Sequence, residues 1–185
     1  RDIRMGRDFK VFFVVSGIFA LGNSSDVFLI LKAHSIGFSV AGTIVLYTAF
    51  NAAYALSSLP AGIISDRIGQ RKILLAGFLL FSVIYLFFGF IQRTAYLWML
   101  FPAYGIYMAL TEGVGKAYLS RVVDRAYTGT MYGLYQTLTG IMTFFSSLIA
   151  GILWDRLGPR YAFIFGSVTG LAAFLIFWLF SGRKN

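Results

Sequence analysis

Three ionisable side chains, Asp26, Glu112 and Lys116, stand inside long apolar runs of this chain. In a bilayer, a charge near the centre of a helix costs about 2.5–3.5 kcal/mol on insertion scales, so such residues persist where they are paired, snorkel or serve a function. Glu112 and Lys116 are four residues apart with the acid first, the better order for an intrahelical pair. They can neutralise each other, or form a site that couples to protons or meets a charged solute. Asp26 can cap, bind water or relay a proton. No base lies one helical turn from it in sequence, so any partner must come from another helix. Other chemistries are poorly represented. There is no cysteine, and the single histidine, His34, falls between two runs. The chain shows no G-x-S-x-G nucleophile, no phosphate-binding loop and no cluster of metal ligands. The sequence predicts neither an enzyme nor a direct user of ATP, and it implies no metal and no cofactor.

The elements that must position these residues follow from composition. The chain is 58% hydrophobic and only 12% charged, too little charge for the surface of a soluble domain. Its surplus apolar side chains require lipid as a second solvent. The net charge of +9 does not point to nucleic acid, because the bases sit in short loops and not along one face. About 20 apolar residues cross a hydrocarbon core. Six segments qualify: Val11–Leu31, Val40–Ile64, Ile73–Ile91, Tyr96–Leu119, Thr130–Leu153 and Tyr161–Phe180. They are too long and too continuously apolar for alternating barrel strands, so they read as helices. Lys and Arg set their direction. One side collects Arg1, Arg4, Arg7, Lys10, Arg67, Arg71, Lys72, Arg121, Arg125, Arg183 and Lys184. The other has Lys32, Arg93, Arg156 and Arg160. The first side is expected to be cytoplasmic, with both termini inside.

Four spans carry polar stripes. Tyr47, Asn51, Tyr54 and Ser58 share one face of the second, and Tyr132, Gln136, Thr139, Thr143 and Ser146 one face of the fifth. Ser16, Ala20, Asn23 and Asp26 line up on the first, and Gly105, Met108, Glu112 and Lys116 on the fourth. One stripe alone reads as hydrogen-bonding glue between helices. Together they favour a shared solute-lined cavity. The third and sixth spans hold few polar residues and are expected to support the others against lipid. Pro60 is expected to loosen the second span, and Gly129, Gly133 and Gly140 to let another helix close on the fifth.

A fifteen-residue segment occurs twice. Ser57–Arg71 reads SSLPAGIISDRIGQR and Ser146–Arg160 reads SSLIAGILWDRLGPR, at an offset of 89 residues with 10 identities. The shared pattern is Gly62, Asp66, Arg67, Gly69 and Arg71 in the first copy, and Gly151, Asp155, Arg156, Gly158 and Arg160 in the second. Glycine supports a tight turn after a helix, and the bases suit headgroups and helix C-termini. The segment reads as a surface anchor or as a latch that breaks when helices move. The copies are three crossings apart and so should lie on opposite sides of the membrane. That predicts an all-α membrane protein of six transmembrane helices, residues 1–185 forming one bundle built as two inverted three-helix repeats, about 11–91 and 96–180.

The run from Gly62 to Lys72, GIISDRIGQRK, resembles the signature loop after the second helix of either half of a major facilitator superfamily transporter. Thr111–Tyr118 resembles the fourth helix of a half in bacterial members. The resemblance covers essentially the whole chain. It implies half of a secondary active transporter that moves a small solute by alternating access; the carboxylates of Asp26 and Glu112 themselves offer it a route for proton coupling. The basic N-terminal segment and the stop soon after the sixth span suggest the C-terminal half. The implied pathway residues are Asn23, Asp26, Tyr47, Asn51, Tyr54, Glu112, Lys116, Gln136 and Thr139, with the two copies of the repeat as gating motifs. The implied partners are the lipid bilayer, a small-molecule solute and a second six-helix half, covalent or in a dimer. The implied location is a bacterial or archaeal cytoplasmic membrane. Gln70 stands where a base is commoner, and Ser146–Gly151 lacks the glycine-proline signature of drug antiporters. The competing reading is a scaffold or receptor subunit of the same fold that transports nothing.

Overall fold

The computed structural model describes residues 6–181. Arg1, Arg4, Arg183 and Lys184, four of the bases that set the expected direction, lie outside the described residues. The described residues form α1 (Arg7–Gly22), α2 (Val27–Ser35), α3 (Val40–Ile68), α4 (Gln70–Phe90), α5 (Leu97–Val122), α6 (Thr128–Leu157) and α7 (Pro159–Phe180), with single 3-10 turns before α5 and α6. The sequence predicts six crossings. Five helical stretches are long and apolar enough to cross a membrane, counting α1 and α2 as one. The remaining helix, α5, has 26 residues and carries the tyrosines and the Glu112–Lys116 pair that make it more polar.

The first span departs from its expected form. A continuous helix is predicted over Val11–Leu31, yet the chain leaves the helix at Asn23 and re-enters it at Val27. The cause is local. Gly22-Asn-Ser-Ser-Asp26 is a run of poor helix formers whose side chains compete for backbone groups. The freed groups find partners: the Val27 amide bonds Ser25 Oγ at 3.4 Å, and the Ser25 amide reaches Ser147 Oγ of α6 at 3.2 Å. The other boundaries fall within a few residues of their predicted places. Ser39 caps α3 by accepting from the Gly42 amide at 3.1 Å. Pro60 sits inside α3 without ending it.

The two copies of the repeat make the same turn. Gly69 ends α3 at φ 98° and Gly158 ends α6 at φ 102°, a region that L side chains rarely enter. Each turn leads into a helix of the central pair. α4 and α7 pack antiparallel, with Arg71 at the start of α4 bonded to the end of α7, and Arg160 at the start of α7 lying over the Phe90 ring at the end of α4. Midway, two serines bond reciprocally: Ser82 Oγ donates to the Ser167 carbonyl at 2.7 Å, and Ser167 Oγ to the Ser82 carbonyl at 2.8 Å. Rings of Phe12, Phe19, Phe78, Phe81, Tyr85, Phe88, Phe163 and Phe177 fill the space between this pair, α1 and α5. These helices therefore do more than support the others against lipid. One face of each makes the core, while Leu86 and Phe87 of α4 and Leu175 and Trp178 of α7 face outward.

Candidate functional site

Helices α1, α5 and α6 meet around a cavity of about 230 Å³. Its wall includes Asn23, Glu112, Lys116, Gln136 and Thr139, with Phe12, Phe19 and Tyr135 as its aromatic side. Five of the nine pathway residues named from sequence are thus brought together. Tyr107, which the sequence reading passed over, donates its hydroxyl to Asn23 Oδ1 at 3.2 Å and belongs to the same wall.

Glu112 is turned toward α3. Its Oε2 accepts from the Tyr54 hydroxyl at 2.6 Å, so the hydrogen bond that the structure shows crosses between helices and does not run along α5 to Lys116. Tyr54 lines a second cavity, of about 190 Å³, with Ser58, Gly62 and Asp66 of α3 and Gly113 and Ala117 of α5. The bond between Tyr54 and Glu112 therefore joins the two cavities. Tyr47 and Asn51 lie higher on α3. Both are exposed, and the Asn51 amide donates back to the Tyr47 carbonyl at 2.8 Å. They line neither of these two cavities.

Asp26 leaves the face that the helical spacing assigns to it. Because the helix breaks before it, its carboxylate turns to α5, where Oδ1 accepts from the Tyr104 hydroxyl at 2.7 Å. The partner does come from another helix, as the lack of a nearby base requires. Tyr85, Tyr104 and Tyr107 are almost wholly buried around this point, with Tyr104 and Tyr107 ring centroids 4.7 Å apart. The Tyr85 hydroxyl and Ser146 Oγ are the buried polar side-chain atoms without a hydrogen-bond partner among the described residues. Such a group costs about 1–3 kcal/mol when nothing satisfies it. The sequence signal for this cluster was weak, because a tyrosine in an apolar run also suits a membrane interface.

The repeat motif divides into parts that bond and parts that do not. Arg71 holds the last turn of α7: Nε donates to Ser181 Oγ at 2.6 Å, and Nη2 to the Trp178 carbonyl at 2.7 Å. A base bonding the free carbonyls of a helix C-terminus is favourable on both hydrogen-bond and dipole grounds. Arg160, its counterpart, stacks on Phe90 with 4.0 Å from Cζ to the ring centroid. Asp66 does not cap the following helix: the N-cap of α4 is Gly69, and no side chain bonds there. Asp66, Arg67, Asp155 and Arg156 are exposed on the last turns of α3 and α6, and Gly62 and Gly151 are half-buried beside them. A Cβ on Gly62, Gly129, Gly133, Gly140 or Gly151 would meet nothing within 4 Å. The close approaches are made elsewhere. A Cβ on Gly105 would run into the Phe50 carbonyl of α3 and lie 2.9 Å from the Tyr54 amide, and one on Gly166 would lie 2.7 Å from the Gly22 carbonyl of α1.

Comparison with known proteins agrees with this architecture. The family model for the Major Facilitator Superfamily matches residues 11–185. An uncharacterized MFS-type transporter of Methanocaldococcus jannaschii is 35% identical over 92% of this chain and 44% of its own length. A protein of Oryza sativa subsp. japonica named probable anion transporter 7 is 30% identical over 83% of the chain and 35% of its own length. The inner membrane transport protein YnfM of Escherichia coli K12 is 24% identical over 86% of the chain and 38% of its own length. The chain therefore spans less than half the length of each of these relatives. Members of this family are transporters, and the apolar helices of this chain contact a lipid bilayer. On the match of nearly its whole length, this chain belongs to the major facilitator superfamily.

Proposed function

We propose that the chain is one half of a secondary active transporter that moves a small solute by alternating access. The observation that carries the reading is the cavity among α1, α5 and α6. It gathers an acid, a base, an amide and hydroxyls inside a membrane protein, where each such group is costly unless it has work to do. Lys116 presents an ammonium to this cavity while Glu112 is engaged by Tyr54, an arrangement that suits a solute with a negative group. The name of the rice relative, probable anion transporter 7, lends support.

In this reading α5 also crosses the membrane, as the fourth of six spans, residues 1–185 make one domain, and segments 11–91 and 96–180 are inverted repeats. The packing supports that symmetry. α3 lies on α5 as α6 lies on α1, and α4 lies on α5 as α7 lies on α1. Arg71 and Arg160 stand at opposite ends of the α4–α7 pair, with the reciprocal Ser82–Ser167 bonds between them. A second six-helix half, on the same polypeptide or in another copy, covers the exposed faces of α3 and α6. Cytoplasmic termini in a bacterial or archaeal membrane complete the proposal. Asp26 or Glu112 carries the coupled proton, and the Asp66 and Asp155 motifs gate.

The test is flux of labelled small anions into vesicles holding the full-length polypeptide, with and without an imposed pH gradient. Lys116→Gln should raise KM for anionic solutes about tenfold, the loss of ~1.4 kcal/mol. Asp26→Asn and Glu112→Gln, made singly, should show which carboxylate abolishes the response to the gradient. A folded full-length protein that moves none of the solutes would leave the scaffold reading.

A further inference from the structure

Two cavities open at the end of the bundle opposite Arg71, around the turn that follows α4. One, of about 240 Å³, is lined by Lys32, Gly89, Phe90, Ile91, Gln92, Pro159 and Arg160. The other, of about 560 Å³, runs between the end of α4 and the start of α5 past Phe87, Phe90, Met99 and Leu100, with Arg93 and Tyr96 at its rim. They share the wall Phe90–Gln92, so they are neighbouring parts of one depression.

The first cavity has the chemistry of an anion site. Lys32 is only 7% exposed, yet it lines the cavity, and its ammonium has no hydrogen-bond or ion-pair partner among the described residues. A lysine buried to this degree without a counter-charge is uncommon. Arg160 adds a second base, fixed over the Phe90 ring. The first turn of α7 borders the same space, and the free amides of a helix start favour negative charge. No carboxylate lines either cavity. The second cavity has the opposite character, apart from its rim. Phe87, Phe90 and Met99 are 59%, 49% and 75% exposed, a strip of large apolar side chains leading away from the bases along the outside of the bundle. A phosphate would use the bases alone, whereas a phospholipid would use both halves of the depression.

The geometry points to a binding site for one anionic phospholipid: its phosphate held by Lys32 and Arg160, with Arg93 at the rim, and an acyl chain laid along Phe87, Phe90, Met99 and Leu100. The site belongs to the membrane face that is poor in bases. It stands apart from the polar cavity among α1, α5 and α6, and it does not depend on what solute, if any, the protein moves.

Native mass spectrometry of the full-length polypeptide, released from phosphatidylcholine vesicles doped with phosphatidylglycerol, tests this directly. The wild type should retain phosphatidylglycerol in preference to phosphatidylcholine. Lys32→Met keeps the buried stem and removes the charge. It should lower that preference about fivefold, on the scale of ~1 kcal/mol per base near a charged lipid surface. Lys72→Met, which removes a charge at the far end of α4, should leave the preference intact. Equal retention of both lipids by the wild type, or equal effects of the two lysine variants, would overturn the assignment. So would displacement of the lipid by inorganic phosphate, since the apolar strip would then contribute nothing. Should Lys32→Met fail to fold, Arg93→Gln at the exposed rim and the wild-type comparison still decide.

Discussion

The pair α4–α7 and the pair α3–α6 come from the same positions in the two segments of the chain, yet they use their apolar surface in opposite ways. Ten of the 21 residues of α4 are buried and seven of the 22 of α7. For α3 the figures are five of 29, and for α6 three of 30. All four are long enough to cross the bilayer, so length and hydropathy do not separate them. What separates them is where the polar side chains lie. α4 and α7 spend their few polar groups on each other, as in the Ser82–Ser167 bonds, and close on themselves. α3 and α6 give Tyr54, Gln136 and Thr139 to the polar cavities beside the core and leave glycines such as Gly133 facing open space. One pair is an interior, and the other a surface with polar chemistry on it. That is the division of labour a rocking half would need: a rigid centre that carries mobile faces.

The strongest way to break this comparison is to overfill both pairs. A Cβ on Gly166 would lie 2.7 Å from the Gly22 carbonyl and closer still to the Tyr85 ring. Gly166→Val should therefore push α1 and α7 apart and cost ~3 kcal/mol or more, at or above the upper range for overpacking. Loss of monodisperse protein on size-exclusion chromatography would show it. Gly133→Ala should instead gain ~0.5–1 kcal/mol, because alanine favours a helix over glycine and nothing lies within 4 Å. A destabilised Gly133→Ala in the full-length polypeptide would place another helix against α6 and sharpen the picture of a covered face.

Next in size is the asymmetry of the two repeat copies. Arg71→Ala removes two hydrogen bonds from a charged donor and should lower stability by ~2–3 kcal/mol. Arg160→Ala loses a ring contact and should cost ~0.5–1 kcal/mol. Thermal melts of the two variants in detergent compare them. Equal losses would mean that the copies do the same job, and that the difference in their contacts is immaterial.

The sequence made much of this legible, and the misses have identifiable causes. Helix ends were readable because the bilayer fixes the length of an apolar run, and Gly69 and Gly158 mark turns that other residues resist. The break at Asn23–Asp26 was written in the run Gly-Asn-Ser-Ser-Asp, but the long apolar run around it outweighed that signal. Once the helix is taken as continuous, Asp26 is assigned to the wrong face, and its contact with Tyr104 cannot be foreseen. Small-xxx-small spacing points to the glycines of α6, whereas the close helix contacts among the described residues fall at Gly22, Gly105 and Gly166. Spacing alone does not say which face of a helix has a neighbour.

Tyr85 is a finer test of the interior. Its hydroxyl is buried and, like Ser146 Oγ, has no hydrogen-bond partner among the described residues. Tyr85→Phe deletes only that oxygen, so the conformation described here should become more stable by ~1–2 kcal/mol, the penalty of an unsatisfied buried group. If the melting temperature falls instead, the hydroxyl has a partner, and the cluster with Tyr104 and Tyr107 is a complete network. If it rises while flux is lost, Tyr85 finds its partner in another state of the cycle.

The smallest effect is expected on α3. The Tyr54 hydroxyl and Glu112 Oε2 are 2.6 Å apart, a short bond to a carboxylate, but it lies on the exposed side of the bundle. Water can replace a donor there, so Tyr54→Phe should change stability by less than ~1 kcal/mol. Its larger consequence is electrostatic. Freed from α3, Glu112 has Lys116 one turn away on its own helix, in the orientation that favours a pair. An ammonium so neutralised holds an anion less well, and KM for an anionic solute should rise in Tyr54→Phe while the melting temperature hardly moves. A melting temperature that falls as far as in Arg71→Ala would place the contact between α3 and α5 in the rigid centre. The line between interior and working face would then run through α3 itself.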